Sequence, residues 1–242
     1  MEVLEHIPVN LEAEKILKKL RARPGNTAIE EGVREMLEMV RPVVNARAVY
    51  ECAYVEDKQE DSVSICGFRF TSRVLRVNLD PVGRAFPYIV TCGREADAVK
   101  APENDVMNAF LLDAIKEAAV QSAYRYLREY LTGKFALGQV SAMAPGSLKD
   151  WPITQQKELF AIFGDVEKLI GVRLTPSFLM MPIKSVSGIL FPTEIRFESC
   201  QLCPREDCIG RRAPYKPELE KKYGENIIGD VIEAVITPKK QG

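Results

Sequence analysis

Residues 46–93, ARAVYECAYVEDKQEDSVSICGFRFTSRVLRVNLDPVGRAFPYIVTCG, decide the fold class. Three runs within them, ARAVYECAYVE, SVSICGFRF and PYIVTCG, are rich in β-branched and aromatic residues, which fit the pleated, half-buried surface of a sheet. The charged turn EDKQED and the segment NLDPVGRAF divide them. Runs of this kind bounded by turn chemistry predict three or four strands.

On the C-terminal side, Pro102 and Asn104 announce a helix from about Asp105 to Leu131. Phe110, Leu111, Ala114, Ile115, Ala118 and Ala119 recur there at helical spacing, as expected of a central core helix. On the N-terminal side, Asn10 is placed to cap a helix to about Leu20, and Arg23-Pro24-Gly25-Asn26 closes it. Thr27 opens a second helix with Glu30 completing a capping-box pattern, and Pro42 ends it near Val40.

Beyond the long helix, GKFALGQVSAMAPGSLKDWP (133–152) reads as a long loop, too polar for a strand and too often broken for a helix. A helix starting near Thr154, a short one over Asp165–Ile170, strands over Val186–Phe191 and Glu194–Ser199, a helix near Pro217–Tyr223 and a strand-like NIIGDVIEAVI (226–236) follow. No regular βαβ alternation is present, so the expectation is α+β with a bent, largely antiparallel sheet flanked by helices. The chain is expected in three parts: a helical segment over 1–45, a core over 46–198 and a cysteine-containing tail over 199–242 packed on the core.

Composition narrows the function. A chain of 242 residues with 46% hydrophobic and 28% charged content is globular, which excludes disorder, collagen and coiled coil. Lys plus Arg number 33 against 34 Asp plus Glu, so no net field draws in nucleic acid or an anionic membrane. MEVLEHIPVN lacks a basic region followed by an apolar one, and the longest uncharged apolar stretches stop at about ten residues, so a cytoplasmic location is expected.

The nucleotide-binding, hydrolase and zinc-protease signatures are missing, and His6 is the sole histidine. Two segments remain. Around Pro145-Gly146, backbone amides can approach a ligand, with Ser141, Ser147 and Asp150 as polar contacts; a plain turn is the competing reading. Cys200-x2-Cys203-x4-Cys208, followed by Gly210-Arg211-Arg212, groups soft ligands for an iron-sulfur cluster or zinc. Iron-sulfur is favoured because no histidine competes and Pro204 follows the Cys-x2-Cys pair. The fourth ligand is left open among Cys52, Cys66, Cys92, Asp207 and water, and simple reduced thiols are the alternative. A redox reading of Cys200-x2-Cys203 is weaker, since the pair follows a strand with no clear helix start. Met180-Met181, beside Phe178 and Pro182, line an apolar pocket or fill core.

The wording IGVRLTPSFLMMPIKSVSGILFP (170–192) resembles the activation domain of cobalamin-dependent methionine synthase. The resemblance rests on Gly171, Leu174-Thr175-x-Ser177-Phe178, Met181-Pro182 and Ser185-Val186-Ser187-Gly188, in the family's order and spacing. Upstream, Ala144-Pro145-Gly146 with Asp150-Trp151-Pro152 and Gln156 resembles the family's S-adenosylmethionine loop. The resemblance covers roughly residues 140–195.

It implies a C-shaped α+β fold and a stand-alone version of the domain. In the family that domain holds S-adenosylmethionine against a cobalamin carried elsewhere, so that the inactive corrinoid is reduced and remethylated. Ala144, Pro145, Gly146 and Ser147 are the implied S-adenosylmethionine contacts. No Asp-x-His-x-x-Gly cobalamin signature is present, so the corrinoid is expected on a partner, either a corrinoid-binding protein or a methionine synthase core, with a reductase as a further partner. Ala142 stands where the family's loop has arginine and Ser147 where it has tyrosine. The first removes a charge-assisted bond and the second a flat apolar surface, so weakened binding is expected. The competing readings are an iron-sulfur protein passing electrons to the corrinoid and a docking scaffold without catalysis.

Overall fold

A computed structural model describes residues 1–208 and 210–223. The strand-like run 226–236 lies outside the described residues. In chain order the elements begin with β1 (Glu2–Leu4), α1 (Ala13–Lys19), α2 (Thr27–Val40), β2 (Arg47–Tyr50), β3 (Ala53–Lys58), β4 (Ser62–Ile65) and β5 (Phe68–Thr71). Next come α3 (Arg73–Asn78), β6 (Arg84–Thr91), α4 (Arg94–Ala98), α5 (Val106–Lys134), β7 (Val140–Met143), α6 (Gln156–Ala161) and α7 (Val166–Ile170). The series closes with β8 (Arg173–Leu174), β9 (Met180–Met181), β10 (Ser185–Pro192) and α8 (Glu220–Tyr223). Helices and antiparallel strands are mixed, which is the α+β class read from the sequence.

The chain divides into two compact units, one of residues 1–51, 87–137 and 163–187, the other of residues 52–86, 138–162 and 188–242. In the first unit β2 pairs antiparallel with β1 and with the C-terminal part of β6, Val49 facing Val3 and Ile89. Its core joins Val33, Met36, Leu37 and Val40 of α2 to Leu111, Ile115 and Ala119 of α5. Gly32 permits that approach: a Cβ there would lie 2.7 Å from Leu111 Cδ1. Asp105 caps α5 by accepting the Asn108 amide at 2.9 Å.

Near the other end of α5, the Lys134 ammonium donates to Glu2, to Tyr50 Oη at 3.0 Å and to Tyr130 Oη at 3.2 Å. It also lies over the Tyr50, Tyr130 and Phe135 rings, at 5.4 to 5.8 Å from their centroids. Hydrogen bonds from Lys134 and Tyr130 hold the Glu2 carboxyl down, to about 2.

In the second unit the N-terminal part of β6 pairs with β3, β3 with β4 and β4 with β5, all antiparallel. β7 pairs antiparallel with β10, from Met143 opposite Ile189 to Val140 opposite Pro192. The core gathers Phe70, Leu75, Trp151, Leu159, Phe191, Phe197 and Tyr223, with the Phe70 and Trp151 rings edge-on at 5.9 Å.

Several sequence expectations fail locally. Asn10 does not cap α1: Glu12 occupies the cap position, and the Asn10 amide instead bonds Ser122 Oγ at 2.9 Å. Asn26, one residue before Thr27, caps α2 through Ile29. Phe110 is 59% exposed, one residue before Leu111, where α5 enters the core. Residues 140–143, read as loop, form β7; its four residues carry too short an alternation to register. Residues 194–198, read as strand, are irregular, and a 3-10 turn over Ser199–Leu202 follows them. There Glu198 and Gln201 bond each other's backbone as a capping box.

Candidate functional site

The loop that leaves β7 carries Ala144, Pro145, Gly146 and Ser147. Pro145 is buried, while Gly146 and Ser147 are exposed. Two backbone bonds close the loop on itself: Gly146 N donates to Trp151 O at 2.7 Å, and Ser147 N to Ala144 O at 3.1 Å. Gly146 has φ of +79°, and a Cβ on it would meet Ile153 Cδ1 at 2.8 Å. A residue with φ in that region and no room for a side chain is glycine for steric reasons. Backbone and hydroxyl surface is therefore what this loop offers outward.

The residues behind the loop explain its spacing. Asp150 accepts the Ser72 hydroxyl, the Arg73 amide at 3.2 Å and the Val74 amide at 3.0 Å, so it fastens the loop to the start of α3. Trp151 is fully buried and donates from Nε1 to Gln155 Oε1 at 2.9 Å, and the same oxygen takes the Thr71 amide at 2.9 Å. Two expected polar contacts thus have structural roles: Asp150 holds α3, and buried Ser141 accepts the Phe197 amide at 2.7 Å. Ala142, half-buried, lies opposite Leu190 in the β7–β10 ladder. Gln155 carries no signal of this role in the sequence: nothing separates it by type or position from Gln156, which is buried.

In the first unit, Leu174 to Ser187 are accounted for in a different way. β8 and β9 form a hairpin, Arg173 facing Met181, closed by Thr175. Thr175 N donates to Leu179 O at 2.8 Å, and its hydroxyl accepts the Leu179 amide at 3.0 Å and lies 3.1 Å from Ser177 Oγ. Phe178 takes φ of +62° in that turn. The Met181-Pro182 peptide is cis, and the Pro182 carbonyl accepts the Ser185 hydroxyl at 2.8 Å. Ser185 Oγ also lies 3.0 Å from Thr91 Oγ1. Met180 and Met181 are half-buried within β9, neither core filler nor freely exposed.

The cysteine segment lies in the second unit. Cys200 and Cys203 are half-buried thiols and Cys208 is exposed. At their centre is Arg211, whose guanidinium donates to the carbonyls of Cys200, Cys203 and Ala213 at 3.2 Å each and to that of Arg205. Among the described residues, no three His, Cys, Asp or Glu side chains converge as a metal ion requires. As placed, the three thiols do not come together as a ligand set for zinc or a cluster. The turn bearing them nevertheless touches the β7 loop, because Ser199 Oγ donates to Ser147 Oγ at 3.3 Å. Cys92, a fourth-ligand candidate, is fully buried in the first unit, and burial pushes its thiol up to about 11.

No helix among the described residues is long and apolar enough to cross a membrane. No family model matches the chain, and no curated protein matches it. Among solved structures, the MetH reactivation domain bound to AdoHcy matches with a TM-score of 0.58 and 18% identity, over 82% of this chain and 81% of the other. The chain has the reactivation-domain fold. That fold is the one implied by the motifs at 144–152 and 170–192. At 18% identity it is the path of the backbone that the two proteins share, while the reactivation domain's side chains need not recur here.

Proposed function

We propose that this chain is a stand-alone reactivation-domain protein, which binds S-adenosylmethionine and presents it to a corrinoid carried by a partner. The partner is a corrinoid-binding protein or a methionine synthase core, served by a separate reductase. The observation that carries the reading is the loop at Ala144–Ser147, closed by the Gly146 to Trp151 bond at 2.7 Å, in a fold whose solved neighbour holds AdoHcy. AdoHcy is what S-adenosylmethionine becomes after giving up its methyl group, so one pocket shape accommodates both.

In this reading one electron from the reductase and the methyl cation of S-adenosylmethionine convert the inactive cob(II)alamin of the partner to its methylated form, releasing AdoHcy. This chain's residues act by positioning. The Gly146 region lets backbone approach the ligand closely, and Ser147 supplies a hydroxyl donor and acceptor. Pro145 and Trp151, both buried, hold the loop's shape before ligand arrives, which lowers the entropy cost of binding. Methyl transfer to a reduced metal needs alignment and exclusion of water, not a general base, and such alignment is worth several kcal/mol of barrier. The chain's shortage of histidine is consistent with that chemistry.

Calorimetric titration of S-adenosylmethionine and of AdoHcy into the purified protein tests the reading. Saturable binding of both, weakened in Ser147→Ala, is the expected result. Absence of binding by either ligand overturns it. With Ala142 in place of the family's arginine, the expected affinity is below that of an arginine-bearing loop, by about 1.5–3 kcal/mol for one lost charged hydrogen bond.

A further inference from the structure

The cysteine segment is not used by the proposed methyl-donor site, and its geometry carries a chemistry of its own. Cys203 N donates to Cys200 O at 3.3 Å, closing a one-turn loop at the end of the 3-10 turn over Ser199–Leu202. The sequence left Cys200-x2-Cys203 without a helical start; the structure supplies a short one. An i to i+3 bond of this kind holds the two Cα atoms within about 7 Å, and disulfides span Cα separations of about 4.4–6.8 Å. The Cys200 sulfur is fixed by the Arg212 amide, 3.5 Å away. Arg211 pins the carbonyls of both cysteines at 3.2 Å, so the backbone is already held in the closed turn. Cys208 stands five residues beyond Cys203, exposed, in a separate turn closed by Arg211 N and Cys208 O at 3.1 Å.

We propose that Cys200 and Cys203 form a reversible dithiol–disulfide site, with a low-molecular-weight or protein disulfide as its oxidising substrate. One of the two sulfurs attacks the incoming disulfide and releases its first thiol, leaving a mixed disulfide on the protein. The second sulfur displaces the remaining thiol. One S–S bond forms in the protein and one breaks in the reagent; two electrons pass to the reagent, and the two protons of the protein thiols leave with its products. The site stands independently of S-adenosylmethionine binding. It adjoins that loop through the Ser199 to Ser147 bond at 3.3 Å.

The test counts thiols. The full-length protein is equilibrated with oxidised glutathione, the remaining thiols are alkylated after unfolding in denaturant, and tryptic peptides are weighed. FESCQLCPR (197–205) contains both Cys200 and Cys203, whereas EDCIGR (206–211) contains Cys208. The expected result is loss of two of the six alkylatable thiols, an internal disulfide within 197–205, and full recovery with dithiothreitol. Cys208→Ser leaves this pairing unchanged, and Cys203→Ser stops at a glutathione adduct on Cys200. Retention of all six thiols overturns the proposal, as does a disulfide joining the two peptides. It is equally overturned if the thiols are protected under reducing conditions and a chelator frees them together with stoichiometric zinc or iron, which would make the segment a metal site.

Discussion

Gly146 and Trp151 are joined by a backbone hydrogen bond of 2.7 Å that returns an exposed loop to a fully buried indole. The bond ties the conformation of the candidate ligand loop to the packing of the second unit's core. Gly146→Ala tests that tie. The new methyl meets Ile153 Cδ1 at 2.8 Å on a backbone with φ of +79°. Alanine in this region costs about 1–2 kcal/mol, and we expect a small fall in melting temperature with a larger fall in S-adenosylmethionine affinity. Thermal melts and titration on the same preparation separate the two; unchanged affinity would remove Gly146 from the site.

Asp150→Ala removes three contacts at the start of α3, from Ser72, Arg73 and Val74. Ser72 remains the N-cap of α3 through the Leu75 amide, so the cost is that of losing hydrogen bonds to a charged group, about 1.5–3 kcal/mol. Urea unfolding should show a lower midpoint with an unchanged slope.

Trp151 is the chain's single tryptophan and is fully buried. Trp151→Ala is expected to destabilise by about 3–5 kcal/mol. Trp151→Phe should cost less, since its ring keeps most of the packing against Phe70 and leaves a smaller cavity. Denaturant unfolding followed by circular dichroism measures both variants without relying on the indole.

Acid should loosen the first unit through Glu2. Its carboxyl is held at about 2, below its ordinary 4.5, by Lys134 and Tyr130. A depressed carboxyl contributes stability that is complete above its unfolded value and disappears as pH falls through the folded one. The window is therefore about pH 4.5 down to about 2, and the effect is modest because the carboxylate is partly exposed to solvent. Glu2→Gln should flatten the dependence of stability on pH across that window.

Cys92 should be the last thiol to react. Burial pushes it up to about 11, with Asp97 adding to the shift. At neutral pH it is protonated and inaccessible, so iodoacetamide should modify exposed Cys208 first and reach Cys92 only on unfolding. Time-resolved alkylation with peptide mass analysis gives the order; early labelling of Cys92 would contradict the packing around it.

The sequence made the large features legible and the small ones not. The long helix is readable because Leu111, Ile115 and Ala119 recur at helical spacing, and its observed span, Val106–Lys134, differs from the expected one by only a few residues. β7 was not, because Val-Ser-Ala-Met offers two apolar anchors, and what makes it a strand is β10, almost fifty residues away in sequence. At the candidate loop, sequence singles out Pro145, Gly146 and Ser147 together with Asp150 and Ser141. Asp150 and Ser141 have the chemistry of ligand contacts, and only the fold reveals that a helix start and a Phe197 amide already use them. The cysteines posed the converse problem: spacing showed three thiols close in sequence, and only coordinates showed an arginine among their carbonyls.

A loop assembled around a metal ion falls apart when acid protonates its thiolates or a chelator removes the ion. A guanidinium stays charged at every pH a folded protein meets and cannot be extracted. The bonds from Arg211 to the carbonyls of Cys200, Cys203, Arg205 and Ala213 therefore persist through acid and chelation alike.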